Sequence, residues 1–229
     1  MSMNHRLTRM IVPMLSIVSA ADCAPGDAAA DSTITTQASG GEVQLPATAG
    51  ALQLVVTPAG NEVRYRIREQ LVGVDLPNDA VGATSDVTGG ITFDASGRVV
   101  PSASRFQVNV GTLKSDKDRR DGYVRGRILQ TSEHPTVELV PTTIEGLTLP
   151  IPTSGTKTFK VLGDLTVRGV TRPTTWQVNA TFNGSTVTGS AATTFTFAEF
   201  GMTQPRVPVV LSVADTIKLE YDFSLAPKK

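Results

Sequence analysis

The stretch Phe159–Phe182, FKVLGDLTVRGVTRPTTWQVNATF, decides the fold of this chain, because apolar and polar residues alternate along two long segments. Successive side chains of a β-strand point to opposite faces, so each segment presents one apolar face and one polar face. Between the segments, Gly169–Pro173 supplies the conformational freedom of glycine and the fixed φ of proline that a turn requires. The stretch therefore predicts a long amphipathic hairpin, which indicates a large antiparallel sheet with a sheltered interior.

The same alternation recurs along most of the remaining chain. In Val63–Arg68, three apolar side chains share one face and three arginines share the other. No aromatic residues interleave with these arginines, which is typical of a solvated strand face and not of a nucleic-acid site. Regular strands without long helices predict one all-β domain, and closure into a barrel is favoured because long unpaired edges promote aggregation. The other apolar sets of one parity are Ile91 and Phe93; Phe106, Val108 and Val110; Val137 and Leu139; Phe195 and Phe197; and Ile217, Leu219, Tyr221 and Phe223.

One charged segment, Ser115–Leu129 (SDKDRRDGYVRGRIL), lacks the strand alternation. Ser115 is a suitable residue to cap a helix, and Asp116 and Asp118 would lie in the first turn, where the helix dipole favours acidic side chains. The segment therefore predicts a short helix that crosses one end of the barrel.

Composition argues against most catalytic and nucleic-acid functions. The formal net charge is zero, so no electrostatic attraction to nucleic acid is expected. The chain has only His5, His134 and Cys23 from which to build a zinc or nucleophile site. A Ser-His-Asp triad around His134 is arithmetically possible, but no nucleophile-elbow motif accompanies it. We therefore predict no catalytic residues, no metal and no cofactor, and interpret His134 as a loop residue before a strand.

The N-terminus has the layout of an export signal. Residues 1–21 combine a basic start, a short apolar stretch and small residues before a cleavage site, and no apolar run is long enough to span a bilayer. Residues 22–44 are rich in small and polar residues and predict a flexible linker, which leaves 45–229 as the globular domain. Cys23 lies where a bacterial lipoprotein carries its acylated cysteine, although Asp22 before it departs from that signal. Export to the periplasm or cell envelope is expected, with ordinary secretion favoured over lipidation.

Several motifs, in order, resemble the YceI-like family, the lipocalin-like polyisoprenoid-binding domains of bacteria. The resemblance covers roughly residues 63–225, and its most specific part is the element around Gly-Val-Thr-Arg-Pro. Four departures are Leu139 in place of an aromatic residue, Thr196–Ala198 where the family often has an arginine, Glu199 in place of an aspartate, and an insertion at 71–86 that matches none of the family's motifs. The matching segments are Val108–Leu113 followed by Asp118–Asp121, His134–Val137, Gly163–Pro173, Phe197–Met202 and Val213–Ile217.

This resemblance implies an antiparallel lipocalin-like β-barrel of about eight strands, with a short helix at one end and an apolar interior. It also implies a non-catalytic role in the cell envelope, the binding or carriage of a long isoprenoid or quinone-like lipid. The alternative is a structural or stress-related envelope domain with a packed interior and no ligand. Membrane association is expected only if Cys23 is acylated, and a homodimer is left open. The side chains expected to contact the lipid are Tyr65, Phe106, Val108, Phe159, Val161, Leu165, Trp176, Val178, Phe195, Phe197, Leu219 and Tyr221.

Overall fold

A computed structural model of the protein describes residues 52–229. The predicted export signal (1–21), the predicted linker (22–44) with Cys23, and the first residues of the predicted domain at 45–51 lie outside the described residues. Those expectations stay predictions. Within residues 52–229, no helix has the length and apolar character needed to cross a bilayer.

The described residues form an antiparallel sheet, which confirms the predicted all-β fold. Short 3-10 turns lie at Pro101–Ala103, Val110–Thr112 and Ala198–Phe200, and the helix α1 (Asp118–Tyr123) continues into a π-helical turn at Val124–Ile128. The strands are β1 (Leu52–Val56), β2 (Glu62–Leu71), β3 (Asn78–Thr84), β4 (Val87–Phe93), β5 (Arg105–Asn109), β6 (Lys114–Ser115), β7 (Thr136–Glu145), β8 (Ser154–Val167), β9 (Val170–Asn183), β10 (Thr186–Thr196) and β11 (Val210–Pro227).

The sheet closes into a barrel because β1 pairs with both β4 and β11, and three pairs of short strands lie end to end around it. Strands β1 and β2 pair with successive parts of β11, from Pro227 back to Val210. Strands β4 and β3 pair in the same way with β1 and β2, and β5 and β6 pair with β4 and β3. The eleven segments therefore make eight antiparallel strands around the barrel, as predicted. Closure pairs β1 at one edge of the sheet with β11.

The central hairpin has a tighter turn than the sequence predicted. Val167 pairs with Val170, so only Arg168 and Gly169 form the turn, with φ of 51° and 73°. Two central residues with positive φ are typical of the two-residue hairpin turns that match strand twist. The prediction that the turn extends to Pro173 was wrong, since Pro173 lies within β9, opposite Asp164.

The charged segment forms the predicted helix, but Ser115 does not cap it. Lys117 is the N-cap residue, and it makes no side-chain capping bond. Ser115 lies in β6, where its hydroxyl and backbone N–H donate to the buried carboxylate of Asp121 at 2.6 and 2.8 Å. Arg120 also donates to Glu69 Oε1 of β2 at 2.7 Å. These bonds hold the helical segment against one end of the barrel.

The arginines of β2 lie on the outer face and pair with neighbouring strands. Arg64 lies 2.7 Å from Asp222, and Arg66 and Arg68 lie 3.3 and 3.1 Å from Asp79. Ion pairs at such partly exposed positions contribute little stability each. Their mutual pairing agrees with the interpretation of this face as a solvated surface.

Candidate functional site

The interior of the barrel contains an apolar cavity of about 130 Å³, which we call the central cavity. Nine of the predicted ligand-contacting residues line its wall: Phe106, Val108, Phe159, Val161, Leu165, Trp176, Val178, Leu219 and Tyr221. The other lining residues are Leu54, Val63, Val87, Ile91, Phe93, Val137, Leu139, Pro141, Ile144, Leu147, Ile151, Phe182, Val187, Ala191, Phe223 and Leu225.

A second apolar cavity of about 110 Å³, the inner cavity, adjoins the central cavity on the side of the helix. Val63, Val108, Val137 and Leu219 line both cavities and form a waist between them. The helical segment closes the inner cavity with apolar side chains of its π-helical turn and the residue after it. Three further predicted residues lie here: Tyr65, Phe195 and Phe197.

A third and larger cavity of about 590 Å³, the helix-end cavity, continues from the inner cavity. Tyr65, Ile67, Val124 and Pro205 line both of them. The helix-end cavity reaches the protein surface, because Val209, which is exposed, also lines it. The three cavities therefore follow one another from the middle of the barrel to the end that carries the helix.

The polar atoms of the lining aromatic residues are turned away from the central cavity and have partners. Trp176 Nε1 donates to Thr174 Oγ1 at 3.0 Å, and Tyr221 Oη donates to Asn61 Oδ1 at 2.9 Å. Asn61 is buried at the junction of β1 and β2, where its side-chain amide donates to the carbonyl of Thr57 at 2.8 Å. Because these donors are satisfied within the wall, an apolar ligand meets no unpaired polar group there.

The alternating strands place the predicted aromatic side chains towards the interior. Phe159, Trp176 and Phe195 are buried, whereas Phe106 and Tyr221 are half-buried and face the central cavity. The rings of Phe106 and Tyr221 meet edge to face, with centroids 6.1 Å apart. The predicted inward orientation is confirmed, and the role of these residues in ligand binding stays a prediction.

Sequence reasoning missed part of the wall. Val187 and Ala191 of β10 share the parity of Phe195, so alternation could have identified them. Leu147 and Ile151 line the central cavity from the connection between β7 and β8, where no periodic pattern marks them. Lining residues in loops can be identified only from the structure.

The described residues offer little for metal or acid–base chemistry. No group of three or more His, Cys, Asp and Glu side chains in residues 52–229 is placed to hold a metal ion. The buried carboxylates Glu69 and Asp121 are bonded to Arg120 and Ser115. His134 lies in the loop before β7, as predicted, and lines none of the three cavities. The arrangement is suited to holding an apolar molecule.

Tyr65 should make the protein less stable at alkaline pH. Burial raises the pKa of its hydroxyl to about 12 from an ordinary value of 10.0, and Arg120 opposes part of that shift. The unfolded chain therefore loses this proton first, so stability is full below pH 10 and falls as the pH rises towards 12. We expect Tyr65→Phe to make this fall shallower by up to about 1.4 kcal/mol per pH unit, measured by urea unfolding across that range. Identical slopes in the two proteins would contradict the assignment; Tyr221, whose pKa burial also raises, contributes the same slope to both.

Known structures share this barrel. Burkholderia cenocepacia BcnA superposes with a TM-score of 0.55 at 19% identity, covering 74% of this chain and 98% of BcnA. A polyisoprenoid binding domain from Saccharophagus degradans, implicated in plant cell wall breakdown, superposes with a TM-score of 0.57 at 10% identity. That match covers 77% of this chain and 99% of the other. At these identities the similarity shows a common fold.

Sequence relatives extend the similarity. A UPF0312 protein of Shewanella sp. (strain ANA-3) is 26% identical over 183 residues, which cover 76% of this chain and 89% of the relative. A UPF0312 protein of Pseudomonas putida (strain GB-1) is 31% identical over 135 residues, which cover 54% of this chain and 64% of the relative. The sequence profile described as YceI-like domain matches residues 54–225, most of the described part of the chain. The chain therefore belongs to the YceI-like domain family.

Proposed function

We propose that this protein binds and carries a long apolar lipid of the isoprenoid or quinone-like class in the cell envelope, without transforming it. The observation that carries the proposal is a series of three cavities that leads from the barrel interior to the surface. The two inner ones have apolar walls, and the third adds charged side chains near its opening. The similarity in fold to a polyisoprenoid binding domain supports the same class of ligand. The predicted export signal at residues 1–21 supports the location.

The energetics of the cavity are those of a carrier. Each buried methylene contributes roughly 0.8 kcal/mol, so one five-carbon isoprene unit gains about 3–4 kcal/mol when it leaves water. Transfer of the same unit from a bilayer into the barrel gains almost nothing, because both environments are apolar. The protein can therefore exchange its ligand with a membrane while keeping that ligand out of water.

The waist between the central and inner cavities favours a chain over a bulky ring system. Val63, Val108, Val137 and Leu219 separate two spaces of about 130 and 110 Å³. A narrow chain displaces these aliphatic side chains less than a fused ring system does. We therefore expect the lipid tail to supply most of the binding free energy.

The alternative function, an envelope domain with a packed interior and no ligand, is disfavoured by the cavities. Protein interiors are close-packed, and voids larger than a water molecule are few. A natural sequence that keeps several apolar cavities in one barrel forgoes packing stability, because each cavity has an energetic cost. Binding of a ligand in these cavities would explain why the sequence keeps them despite the lost packing stability.

Native mass spectrometry tests the proposal with farnesol, geranylgeraniol and solanesol, three isoprenoid alcohols of increasing tail length. We expect one-to-one complexes with unaltered ligand mass, and tighter binding of geranylgeraniol than of farnesol because more methylenes are buried. Dodecanol offered at the same concentration is the control for a short unbranched tail. A protein that binds none of the three isoprenoids would favour the packed-interior function, and a changed ligand mass would indicate catalysis.

A further inference from the structure

Exposed apolar side chains lie at and beside the opening of the helix-end cavity. Of the seven large apolar side chains that are exposed among residues 52–229, five lie on the two segments that flank this opening. We call these five the apolar rim. Val72, Val74 and Val209 line the cavity, and Leu76 and Leu211 lie two residues further along the chain from Val74 and Val209. Leu76 and Leu211 are the most exposed, at 75% and 65%. An apolar cluster of this density on a surface marks a site of interaction.

The rim is held in place by the ends of two paired strands. Val210 of β11 pairs with Leu71 of β2, and Val72 N donates to the carbonyl of Val209 at 3.1 Å. The loop after β2 folds back on itself, with Val74 N donating to the carbonyl of Leu71 at 3.4 Å. The apolar side chains are therefore presented together by a hydrogen-bonded scaffold.

The rim is continuous with the interior. Val72, Val74 and Val209 belong to the rim and also line the helix-end cavity. That cavity shares Tyr65 and Ile67 with the inner cavity. A lipid tail that leaves the barrel at this end therefore passes directly between the exposed apolar side chains.

The charges beside the rim are of both signs. Lys117 and Arg119 are exposed on the helical segment and line the opening. Asp75 lies between two rim residues, and Asp118 is exposed in the first turn of α1. This mixture matches neither a nucleic acid nor a strongly anionic surface. It complements a zwitterionic lipid headgroup, in which the phosphate meets the cations and the ammonium meets the carboxylates.

We propose that the apolar rim docks this end of the barrel onto a phospholipid bilayer with zwitterionic headgroups. The inference rests on the proposed function, because docking gives the lipid tail a path from the bilayer core into the helix-end cavity. Without contact, every isoprene unit crossing water costs about 3–4 kcal/mol. Insertion of the rim at the headgroup boundary removes that barrier and adds its own apolar burial. Acylation of Cys23 is not required for this contact.

Flotation of the protein with phosphatidylcholine vesicles tests the docking, and it requires no bound isoprenoid. We expect the wild-type protein to float with the vesicles and the double variant Leu76→Ser/Leu211→Ser to partition at least about tenfold less. The matched control is Leu52→Ser/Leu149→Ser, which removes two exposed leucines next to Phe93, at the other end of the barrel, and should float like the wild type. Added salt should have little effect, because apolar insertion dominates.

Flotation and sedimentation could each overturn the docking proposal. The flotation result would be a wild-type protein that does not float, or two double variants that float equally. The sedimentation-velocity result would be a wild-type protein that is a dimer and a Leu76→Ser/Leu211→Ser variant that is a monomer. The rim would then be a contact between two copies of the chain. Geranylgeraniol delivered from ethanol, without vesicles, separates this proposal from the carrier function. Binding from ethanol with no flotation refutes docking alone, whereas flotation with no binding refutes carriage alone.

Discussion

Replacing Ala191 by Phe should abolish isoprenoid binding while the barrel still folds. Ala191 lines the central cavity from β10, between Val178 of β9 and Tyr221 of β11 in the strand register. A phenyl ring at this position fills space that the lipid tail would otherwise occupy. Loss of room for one isoprene unit removes about 3–4 kcal/mol, so the dissociation constant for geranylgeraniol should rise at least about a hundredfold.

The neighbouring residue provides the matched control for this substitution. Ala192 has the opposite parity and points away from the interior, so Ala192→Phe adds the same ring outside the barrel. Both variants are compared by native mass spectrometry and by circular dichroism. Unchanged ligand binding by a folded Ala191→Phe protein would show that the central cavity does not hold the lipid. Strand alternation alone suggests Val178 or Ala180 for this experiment. Val178 lines the central cavity, whereas Ala180 is buried and does not line it.

Replacing Phe200 by Ala should have the largest effect on stability. Phe200 is 1% exposed, and its ring meets that of Phe195 edge to face with centroids 4.6 Å apart. It lines none of the three cavities, so its truncation opens a new void in a packed region. The free energy of unfolding should fall by about 3–5 kcal/mol.

Urea unfolding measures this loss, and Leu76→Ala is the control. Leu76 is 75% exposed, so its truncation should change the free energy of unfolding by no more than about 0.5 kcal/mol. Because Phe200 lies outside the cavities, the folded Phe200→Ala protein should still bind geranylgeraniol. A loss below about 1 kcal/mol would show that the region around Phe195 is loosely packed.

The sequence predicted the barrel and most of its aromatic lining because strand alternation is a local property. Phe159 and Trp176 belong to long runs of one parity, and a single register places every second side chain inside. The same alternation correctly predicts that the arginines of β2 lie on the outer face of the barrel. Where one face is buried and the other solvated, two-residue periodicity is sufficient to orient the side chains.

Other features depend on contacts that are distant in sequence. The division of one barrel strand into β1 and β2 depends on Asn61, whose side-chain oxygen accepts from Tyr221 and from the backbone of Ser224. The position of Ser115 depends on the buried carboxylate of Asp121. Local propensity favours Ser115 as a helix cap, but the tertiary hydrogen bond takes its hydroxyl instead. Hydrogen bonds between residues distant in sequence leave no periodic pattern by which they could be predicted.

Cavities and the apolar rim could not be predicted for a further reason. Inward side chains fill a barrel when their total volume matches the volume that the barrel encloses, and they leave a cavity when it is smaller. The periodicity of a sequence reveals neither volume. The segment 71–86, which matches none of the motifs that carry the resemblance, contains the loop that presents Val72, Val74 and Leu76. Its apolar residues are exposed only because β2 ends at Leu71 and pairs there with β11.

A crystal structure of the protein with geranylgeraniol tests the central claim most directly. We expect continuous electron density for the isoprenoid tail in the central cavity, in contact with Phe106, Trp176 and Tyr221, and extending past the waist towards the helix-end cavity. The side chains of Val108 and Leu219 should change rotamer to admit it. A central cavity that stays empty, or is filled by collapse of its own side chains while the lipid lies elsewhere, would contradict the account.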